Sequence, residues 1–496
     1  MKKNIDVVSA MQTFFLNSVL PYSMNIYTGI SKAFESGAEV NVHIAMHDYN
    51  KLGMGFGLKA MENIDTGKEL FRVPIVSGFN GKEMENFVSK EDEKIIKNIC
   101  HNIGKMIYGT SDHTNYEKMY QSQMITFQLI INILNTKSFF HEFVSSFPMS
   151  YLTNSIFISP YVYSQIKSRN LKLILADTKN FQDMLYELAM DKSIYDISKE
   201  EYLWAYNNAN SRKITFINEN PNDKFSKGSG IFDVLLPIFD YINHTQEESE
   251  VNCRFEPNYD TMLKKSYVLC IADRNIKPEE QILLNYGSHN NTFLLNKYGF
   301  CLRNNKIKES NILILEGLSE NIENSTSQTD TLVPSQTEDN IYSPITIPGN
   351  ETHDRILFEN LSFKKELLKK NKLTIEGFSD YNLTLYINKF DIKIKPFLRI
   401  MLLSKEDIEG DKERIFNHNF TNEFNVSNER MMWSYMSNTL KYHLKSLESS
   451  NYSDLIEGIG EIDNKDKFDL KNILIIEEEE KLLLSKNIEF IKNKLL

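Results

Sequence analysis

Three short segments between residues 235 and 300 constrain the fold of this chain more than any other feature. Residues 235–244 read Leu-Leu-Pro-Ile-Phe-Asp-Tyr-Ile-Asn-His and place an Asn-His pair after an apolar strand pattern. Residues 284–287 end a second apolar run with Tyr286 at a glycine turn, and residues 298–300 read Tyr-Gly-Phe. Each segment alone is uninformative, but the three in this order are hard to produce by chance.

A glycine pair lies upstream of these segments. Gly55-Phe-Gly57 alone is typical of a tight turn, because glycine tolerates backbone conformations that other residues avoid. It lacks the third glycine and the following helix of a dinucleotide-binding fingerprint. A strand pattern with Glu69, Leu70 and Phe71 follows it.

An arginine at the end of a predicted helix is a further candidate. The helix begins at Ser198, where Ser-Lys-Glu-Glu is typical of a capping box, and contains Trp204-Ala205. Arg212 follows eight residues after the tryptophan. A lone arginine is usually a surface charge, but its planar fork suits a ligand carboxylate better than lysine does.

Together these motifs resemble the SET-domain methyltransferases of the Rubisco large-subunit methyltransferase-like class, over about residues 28–305 and more weakly over 353–496. The resemblance implies an α+β fold: a β-rich SET domain with a knot-like crossing and a helical insertion, then a mostly α-helical C-terminal lobe. It also implies four regions: an N-terminal extension at 1–27, a SET domain at 28–305 with its insertion at about 82–225, a flexible linker at 306–352, and a substrate-binding lobe at 353–496.

The resemblance implies S-adenosyl-L-methionine as the cofactor, a protein as the substrate, and Tyr286 as the catalytic residue. In the class, Asn291 lies between the tyrosine motifs and pins a helix or turn. The implied substrate-binding residues are Arg212, Asp240, Tyr286 and Tyr298. The implied cofactor-binding residues are Gly55, Gly57, Glu69, Leu70, Phe71, Arg212, Asp240, Asn243, His244, Tyr298, Gly299 and Phe300. No metal site is implied.

The resemblance extends to the actin-histidine methyltransferase branch of this class, so lysine and histidine both remain possible targets. Ile214 stands where that branch has an asparagine, and Phe239 stands where it has a tryptophan. Both differences favour lysine. Phe216 replaces a second arginine of the plant members. A SET-derived binding protein without catalysis is the other alternative, and the retained Tyr286 argues against it.

Composition limits the remaining possibilities. A net charge of −11 argues against a general nucleic-acid or anionic-membrane binder. The four cysteines form no Cys-x-x-Cys pair and no disulfide framework, which indicates a reducing compartment, the cytoplasm or nucleus. We expect no transmembrane helix, since no apolar run reaches about 18 residues, and we expect a monomer.

The local patterns predict several elements. Strands are predicted at 40–44 and 69–74 and again within 231–286, the last including a strand at 234–239. Four helices are predicted in the insertion, at 91–107, 119–134, 160–175 and 181–190. The acidic run Glu477 to Glu480 is interpreted as the solvent-exposed start of an amphipathic helix that continues towards Leu496.

Overall fold

The computed structural model divides the chain into two compact units. The first comprises Met1–Ile158, Ala176–His289 and Phe293–Phe300, and the second comprises Ser159–Leu175, Asn290–Thr292 and Cys301–Leu496. The structure describes residues 31, 33–49, 54–82, 88–109, 111–147, 158–191, 195–217, 231–313, 355–357, 359–373, 382–386, 389–390, 394–448 and 464–495. The predicted N-terminal extension at 1–27 lies outside these residues.

Eleven strands are described in the first unit, arranged in small sheets rather than one large one. The largest has the order β1-β4-β10-β9, a second has the order β5-β7-β6, and β2-β3 and β8-β11 form pairs. The strands are β1 Glu39–Val40, β2 Ile44–Asp48, β3 Phe56–Ala60, β4 Glu69–Pro74, β5 Phe79–Asn80, β6 Ile214–Ile217, β7 Ile231–Leu235, β8 Asn243–His244, β9 Cys253–Asp260, β10 Lys265–Ala272 and β11 Leu283–Leu284.

The strand predicted at 69–74 has those bounds in the structure, whereas the strand predicted at 40–44 is wrong. Its residues are shared between β1 and β2, and the chain bends at residues 41–43. Side chains hold this bend, because Asn41 donates to Glu69 over 2.7 Å and the amide of His43 donates to Glu62 over 2.8 Å. The strand predicted at 234–239 begins and ends earlier, as β7, since a 3₁₀ turn occupies Phe239–Tyr241.

Helices make up most of the predicted insertion and enclose a core of their own. Ser198 forms the predicted capping box with Glu201. The core combines apolar residues of these helices with Phe79 and Leu235 from the sheet. The helices are α1 Lys90–Tyr108, α2 His113–Leu134, α3 His141–Ser145, α4 Pro160–Gln165, α5 Arg169–Met190 and α6 Lys199–Arg212.

The boundary predicted between the helices at 160–175 and 181–190 is wrong. The break falls at 166–168, so that α4 is short and α5 runs on to Met190. Ser168 starts α5, since its hydroxyl accepts from the amide of Leu171 over 2.9 Å. Glu477 of the second unit's last helix accepts from the amides of Lys167 and Ser168 at 2.6 and 2.8 Å. A partner about 300 residues away therefore sets this helix start.

A parallel pairing brings the Asn-His segment beside the tyrosine segment. Asn243 pairs with Leu283 and His244 with Leu284. Asn252 reinforces the pairing, because its side chain donates to the carbonyl of Gln281 over 2.7 Å and accepts from the amide of Leu283 over 2.8 Å. The knot-like crossing that the resemblance implies is expected at this pair of segments.

The described residues of the second unit are mostly helical. The helices are α7 Asn291–Tyr298, which the two units share, α8 Leu361–Lys370, α9 Ile394–Met401, α10 Lys405–Gly410, α11 Lys412–Asn417, α12 Val426–Glu448 and α13 Asn464–Leu495. The strands are β12 Ser310–Leu313, β13 Asn382–Tyr386 and β14 Lys389–Phe390, and they form a sheet in the order β12-β13-β14. Strand β12 lies within 306–352, so the flexible linker predicted there is corrected at residues 310–313; residues 314–352 lie outside the described residues.

The solvent-exposed interpretation of the acidic run is wrong for Glu477 and Glu480, whereas Glu478 is exposed as expected. Helix α13 begins at Asn464, well before the run, and Glu477 and Glu480 are each 2% exposed. Glu480 accepts a hydrogen bond from the hydroxyl of Ser168 over 2.6 Å. Burial raises the pKa of Glu480 to about 7, because a charged carboxylate is poorly solvated there. Glu477 and Glu480 therefore cap a neighbouring helix instead of facing water.

The predicted α+β class is confirmed, with a β-rich core, a helical insertion and a mostly helical C-terminal part. All four cysteines are free thiols. None of the helices that the structure describes combines the length and the hydropathy needed to cross a bilayer.

Candidate active site

Tyr286 follows β11 and is fixed at both its main chain and its side chain. Its amide donates to Nδ1 of His244 over 3.0 Å, and its hydroxyl donates to the carbonyl of Ile242 over 2.5 Å. Burial raises the pKa of Tyr286 above the ordinary tyrosine value, with a smaller contribution from Tyr298. The phenol is therefore protonated and held in one orientation at neutral pH.

The ring of Tyr286 belongs to a group of four aromatic rings, with those of His244, Tyr298 and Phe300. The ring of Tyr286 stacks on His244 at a centroid distance of 5.0 Å and lies 5.1 Å from Tyr298. Phe300 completes the group at 6.0 Å from His244 and 6.2 Å from Tyr298. Gly299, at φ +81°, ends helix α7 between the two aromatic residues, a conformation that favours glycine. The structure thus brings the predicted tyrosine, histidine and Tyr-Gly-Phe segments together.

Arg212 and Asp240 form a second part of the site. The guanidinium donates through Nε to Asn208 over 3.1 Å, places another nitrogen 3.5 Å from the Asp240 carboxylate, and lies 5.1 Å from the ring centre of Phe147. Its remaining N–H groups have no partner among the described residues. The guanidinium is thus oriented with hydrogen-bonding capacity to spare.

The Asp240 carboxylate is buried, and neither of its oxygens makes a hydrogen bond of ordinary geometry with the described residues. Burial raises the pKa of Asp240 to about 6, and the charge of Arg212 opposes that rise. The charge of Arg212 lowers the pKa of Tyr286 and that of Asp240 raises it, so both charges act on the phenol. A buried anion without donors is costly unless a ligand supplies them.

Asn243 and Gly57 are packed against each other. The Asn243 side-chain amide donates to the carbonyl of Phe56 over 3.2 Å. A Cβ added at Gly57 would lie 2.6 Å from Nδ2 of Asn243 and 2.7 Å from Nε2 of Gln281. Glycine is therefore required at 57 for close approach, not for an unusual backbone angle. The Asn243 oxygen accepts no hydrogen bond from the described residues.

Gly55 differs from Gly57. It has φ +69° and no atom within 4 Å of an added Cβ, and its carbonyl accepts from the amide of Tyr49 over 2.7 Å. Gly55 thus closes the turn before β3 and leaves open space beside it.

The prediction that Glu69, Leu70 and Phe71 contact a cofactor is corrected. Strand β4 lies inside the sheet and pairs with β1 on one side and β10 on the other, so its main chain is occupied. Leu70 and Phe71 have no exposed surface, and the Glu69 carboxylate accepts from Asn41. These three residues therefore belong to the sheet and not to the site.

Asn291 pins a turn, as predicted. Its side chain accepts from the amide of Leu302 over 2.8 Å and donates to the carbonyl of the same residue over 2.9 Å. The side chain of Asn305 also donates to it over 3.2 Å. It orders the chain after the Tyr-Gly-Phe segment and has no direct role in the site.

Three contributors to the site were missed in the sequence. Asn208 is four residues before Arg212 on the same helix, so helical spacing alone could have identified it. Phe147 lies under the guanidinium from a distant part of the chain, and the Ile242 partner of Tyr286 is a main-chain carbonyl. No sequence signal indicates either of these two. In the described part of the chain, no cluster of His, Cys, Asp or Glu is arranged to hold a metal ion.

Comparison with known proteins identifies a family model and two relatives that match parts of this chain. The family model described as SET domain matches residues 55–287. Ribosomal lysine N-methyltransferase set11 of Schizosaccharomyces pombe is 32% identical over 133 residues, which are 26% of this chain and 30% of that protein. SET domain-containing protein 4 of Artemia parthenogenetica is 25% identical over 190 residues, 37% of this chain and 44% of that protein. The matches thus span less than half of either relative.

Two solved structures match over nearly the whole chain. The SET domain of LSMT bound to lysine and AdoHcy has a TM-score of 0.61 at 15% identity, covering 96% of this chain and 92% of that one. Rubisco LSMT bound to AdoMet has a TM-score of 0.58 at 15% identity, covering 96% and 93%. At this identity the match shows a shared fold.

Proposed function

We propose that the SET domain at residues 55–287 transfers a methyl group from S-adenosyl-L-methionine to a lysine side chain of a protein substrate. The observation that carries the proposal is the fixed phenol of Tyr286 within the aromatic group of His244, Tyr298 and Phe300. The motifs and the solved structures that share this fold support it, since those proteins are described with AdoMet or AdoHcy and lysine.

The residues present fit the amino-acid part of such a cofactor. A zwitterion needs a cation for its carboxylate and acceptors for its ammonium group. Arg212 has spare N–H donors, and the Asn243 oxygen takes no hydrogen bond from the described residues. Asp240 adds a buried carboxylate that lacks donors. The charges and the unused hydrogen-bonding groups of the site therefore complement this ligand.

When bound, S-adenosylmethionine supplies a methyl group on a positively charged sulfur. Because the Tyr286 hydroxyl donates its hydrogen bond to the carbonyl of Ile242, its oxygen lone pairs remain to accept a hydrogen bond from the incoming amine. A free lysine has a pKa of about 10.4, so the site must favour the neutral amine. Burial among Tyr286, Tyr298 and Phe300 disfavours the ammonium form. The phenol and the rings thus orient a neutral amine, and such positioning supplies up to about 7–11 kcal/mol in well-oriented systems.

We propose lysine rather than histidine as the methylated residue because of the side chains at two positions of this chain. Ile214 begins β6 and packs, partly buried, against the apolar core of the sheets. An apolar side chain therefore occupies the position where the histidine branch has an asparagine. Phe239 is buried, with its ring 4.9 Å from Phe71 and 4.8 Å from Phe255. The similarity to a lysine N-methyltransferase supports the same choice. A histidine target is the alternative.

The proposal is tested by incubating the full-length protein with isotopically labelled S-adenosylmethionine and a native protein lysate. Mass spectrometry of the labelled peptides identifies the modified residue. We expect labelled lysine that is lost when Tyr286→Phe replaces the wild-type protein. Labelled histidine would replace the lysine assignment by the alternative, and no labelled protein at all would contradict the methyltransferase proposal.

A further inference from the structure

One lysine borders the aromatic group without a charged partner. Lys297 is partly buried in helix α7, with Nζ 5.0 Å from the ring centre of Tyr298 and 5.6 Å from that of Phe293. Across the described residues it makes no ion pair. The ring of Tyr298 in turn lies 5.1 Å from that of Tyr286, centroid to centroid, so Tyr298 contacts both the cation and the tyrosine.

Among the described residues, the one acidic residue whose charge raises the pKa of Lys297, Asp233, is already paired with another lysine. Asp233 is fully buried in β7, and its carboxylate accepts from Nζ of Lys213 over 2.5 Å and from the hydroxyl of Thr215 over 2.6 Å. Asp233 therefore has little capacity left for Lys297. Lys297 therefore adds a positive charge beside the aromatic group, without an acidic partner in the described part of the chain, although the whole chain carries −11.

The lowered pKa of Lys297 agrees with an ammonium group that has lost hydration and has positive neighbours. Loss of hydration lowers the pKa of Lys297 to about 8, and the charges of Lys213 and Lys118 lower it further, while Asp233 opposes them. A partly desolvated ammonium group in these surroundings is stabilised by an incoming anion, which restores a partner and offsets the repulsion.

We propose that Lys297 binds a carboxylate of the substrate polypeptide close to the methylated residue, so that targets flanked by Asp or Glu are preferred. This inference rests on the proposed function and names the substrate class for the same site. Because an extended chain rises about 3.3 Å per residue, an acidic side chain within about three residues of the target reaches past one ring.

The experiment uses the methylated site found in the lysate, made as synthetic peptides. The flanking acidic residue is retained, replaced by Gln, or replaced by Lys, and kcat/KM is measured with the wild-type protein. Loss of the acidic residue should lower kcat/KM about tenfold, typical of one charge-assisted contact. A site without acidic neighbours, or equal kcat/KM for the three peptides, would overturn the inference while leaving the proposed function in place.

Two variants test whether Lys297 causes the preference for a flanking acidic residue. Lys297→Met keeps the apolar stem and should abolish the preference, and Lys297→Glu should invert it towards the Lys-flanked peptide. Lys265→Glu makes the same charge change at the exposed start of β10 and should behave as wild type. An unchanged preference in Lys297→Met would overturn the inference, and the wild-type peptide series decides the question if Lys297→Glu does not fold. If no protein or peptide is methylated at all, the proposed function fails and this inference fails with it.

Discussion

The main-chain amide of Tyr286 donates to Nδ1 of His244, 42 residues away in sequence, over 3.0 Å. The two rings also stack with centroids 5.0 Å apart. His244 must accept at Nδ1 to make this bond, so its neutral form with hydrogen on Nε2 is required. Burial lowers the pKa of His244 to about 4, which keeps this form at neutral pH. The histidine thereby fixes the backbone that carries the tyrosine.

This relationship predicts a pH dependence of stability. The folded-state pKa of His244 is lower than the ordinary value of 6.5, so the unfolded chain binds the proton first as the pH falls. The stabilisation is complete above pH 6.5 and is lost between pH 6.5 and 4, by up to about 3 kcal/mol. His244→Asn keeps an acceptor but does not titrate, so its free energy of unfolding should decline less than that of the wild type across this range.

The comparison is made by chemical unfolding at several pH values, with His244→Leu as the control that lacks the acceptor. His244→Leu should be less stable than His244→Asn at pH 7. Identical pH profiles for the wild type and His244→Asn would contradict the proposed titration.

Gly57 should be needed for its small size. In Gly57→Ala the new Cβ would lie 2.6 Å from Nδ2 of Asn243, so the asparagine must move. Overpacking of this kind costs about 1–3 kcal/mol, and we expect S-adenosylmethionine to bind at least about tenfold more weakly by calorimetric titration. Gly410→Ala, where no atom lies within 4 Å of the added Cβ, is the matched control. Wild-type affinity in Gly57→Ala would separate Asn243 from cofactor binding.

Arg212 should contribute to cofactor affinity through its two-pronged geometry. Arg212→Ala removes a charge-assisted contact worth about 1.5–3 kcal/mol, so the dissociation constant should rise by about one to two orders of magnitude. Arg212→Lys should restore only part of the affinity, because a point charge does not reproduce the planar fork. Arg254→Ala, which breaks exposed pairs with Glu256 and Asp273, is the control. Full affinity in Arg212→Ala would refute this role.

The ion pair of Lys213 and Asp233 should support the same region structurally. Lys213→Met leaves the fully buried Asp233 carboxylate without its cation, and such a loss typically costs about 3–5 kcal/mol. Asp233→Asn in the same chain removes the stranded charge and should recover part of the free energy of unfolding. Denaturant titration of both single variants and the double variant measures the coupling, and strictly additive losses would contradict it.

Local signals in the sequence are enough to predict several elements. The strand at 69–74 follows from its apolar residues and its terminal proline, and the start of α6 follows from the Ser198 capping box. The Asn-His and tyrosine segments come together as the motifs imply. The strand and the helix start depend on residues that are neighbours in the sequence. The pairing of the two segments could be predicted because their motifs resemble those of a known domain.

Features set by distant partners could not be predicted in the same way. The break between α4 and α5 depends on Glu477, and the same contact buries two carboxylates, Glu477 and Glu480, of an acidic run whose composition is typical of an exposed surface. Phe147 reaches Arg212 only in the folded chain. Glu69 to Phe71 resemble a cofactor-binding strand, but pairing on both sides occupies their main chain.

The central claim is that the Tyr286 hydroxyl orients the methyl acceptor and does not hold the cofactor. Tyr286→Phe removes only the group that donates to Ile242. The direct test measures both the dissociation constant for S-adenosylmethionine and the rate of methyl transfer to the identified protein substrate. We predict an affinity within a few-fold of wild type and a rate lower by about 10²-fold, the loss expected from misplacing a reactant. A variant that transfers methyl groups at the wild-type rate would contradict the account.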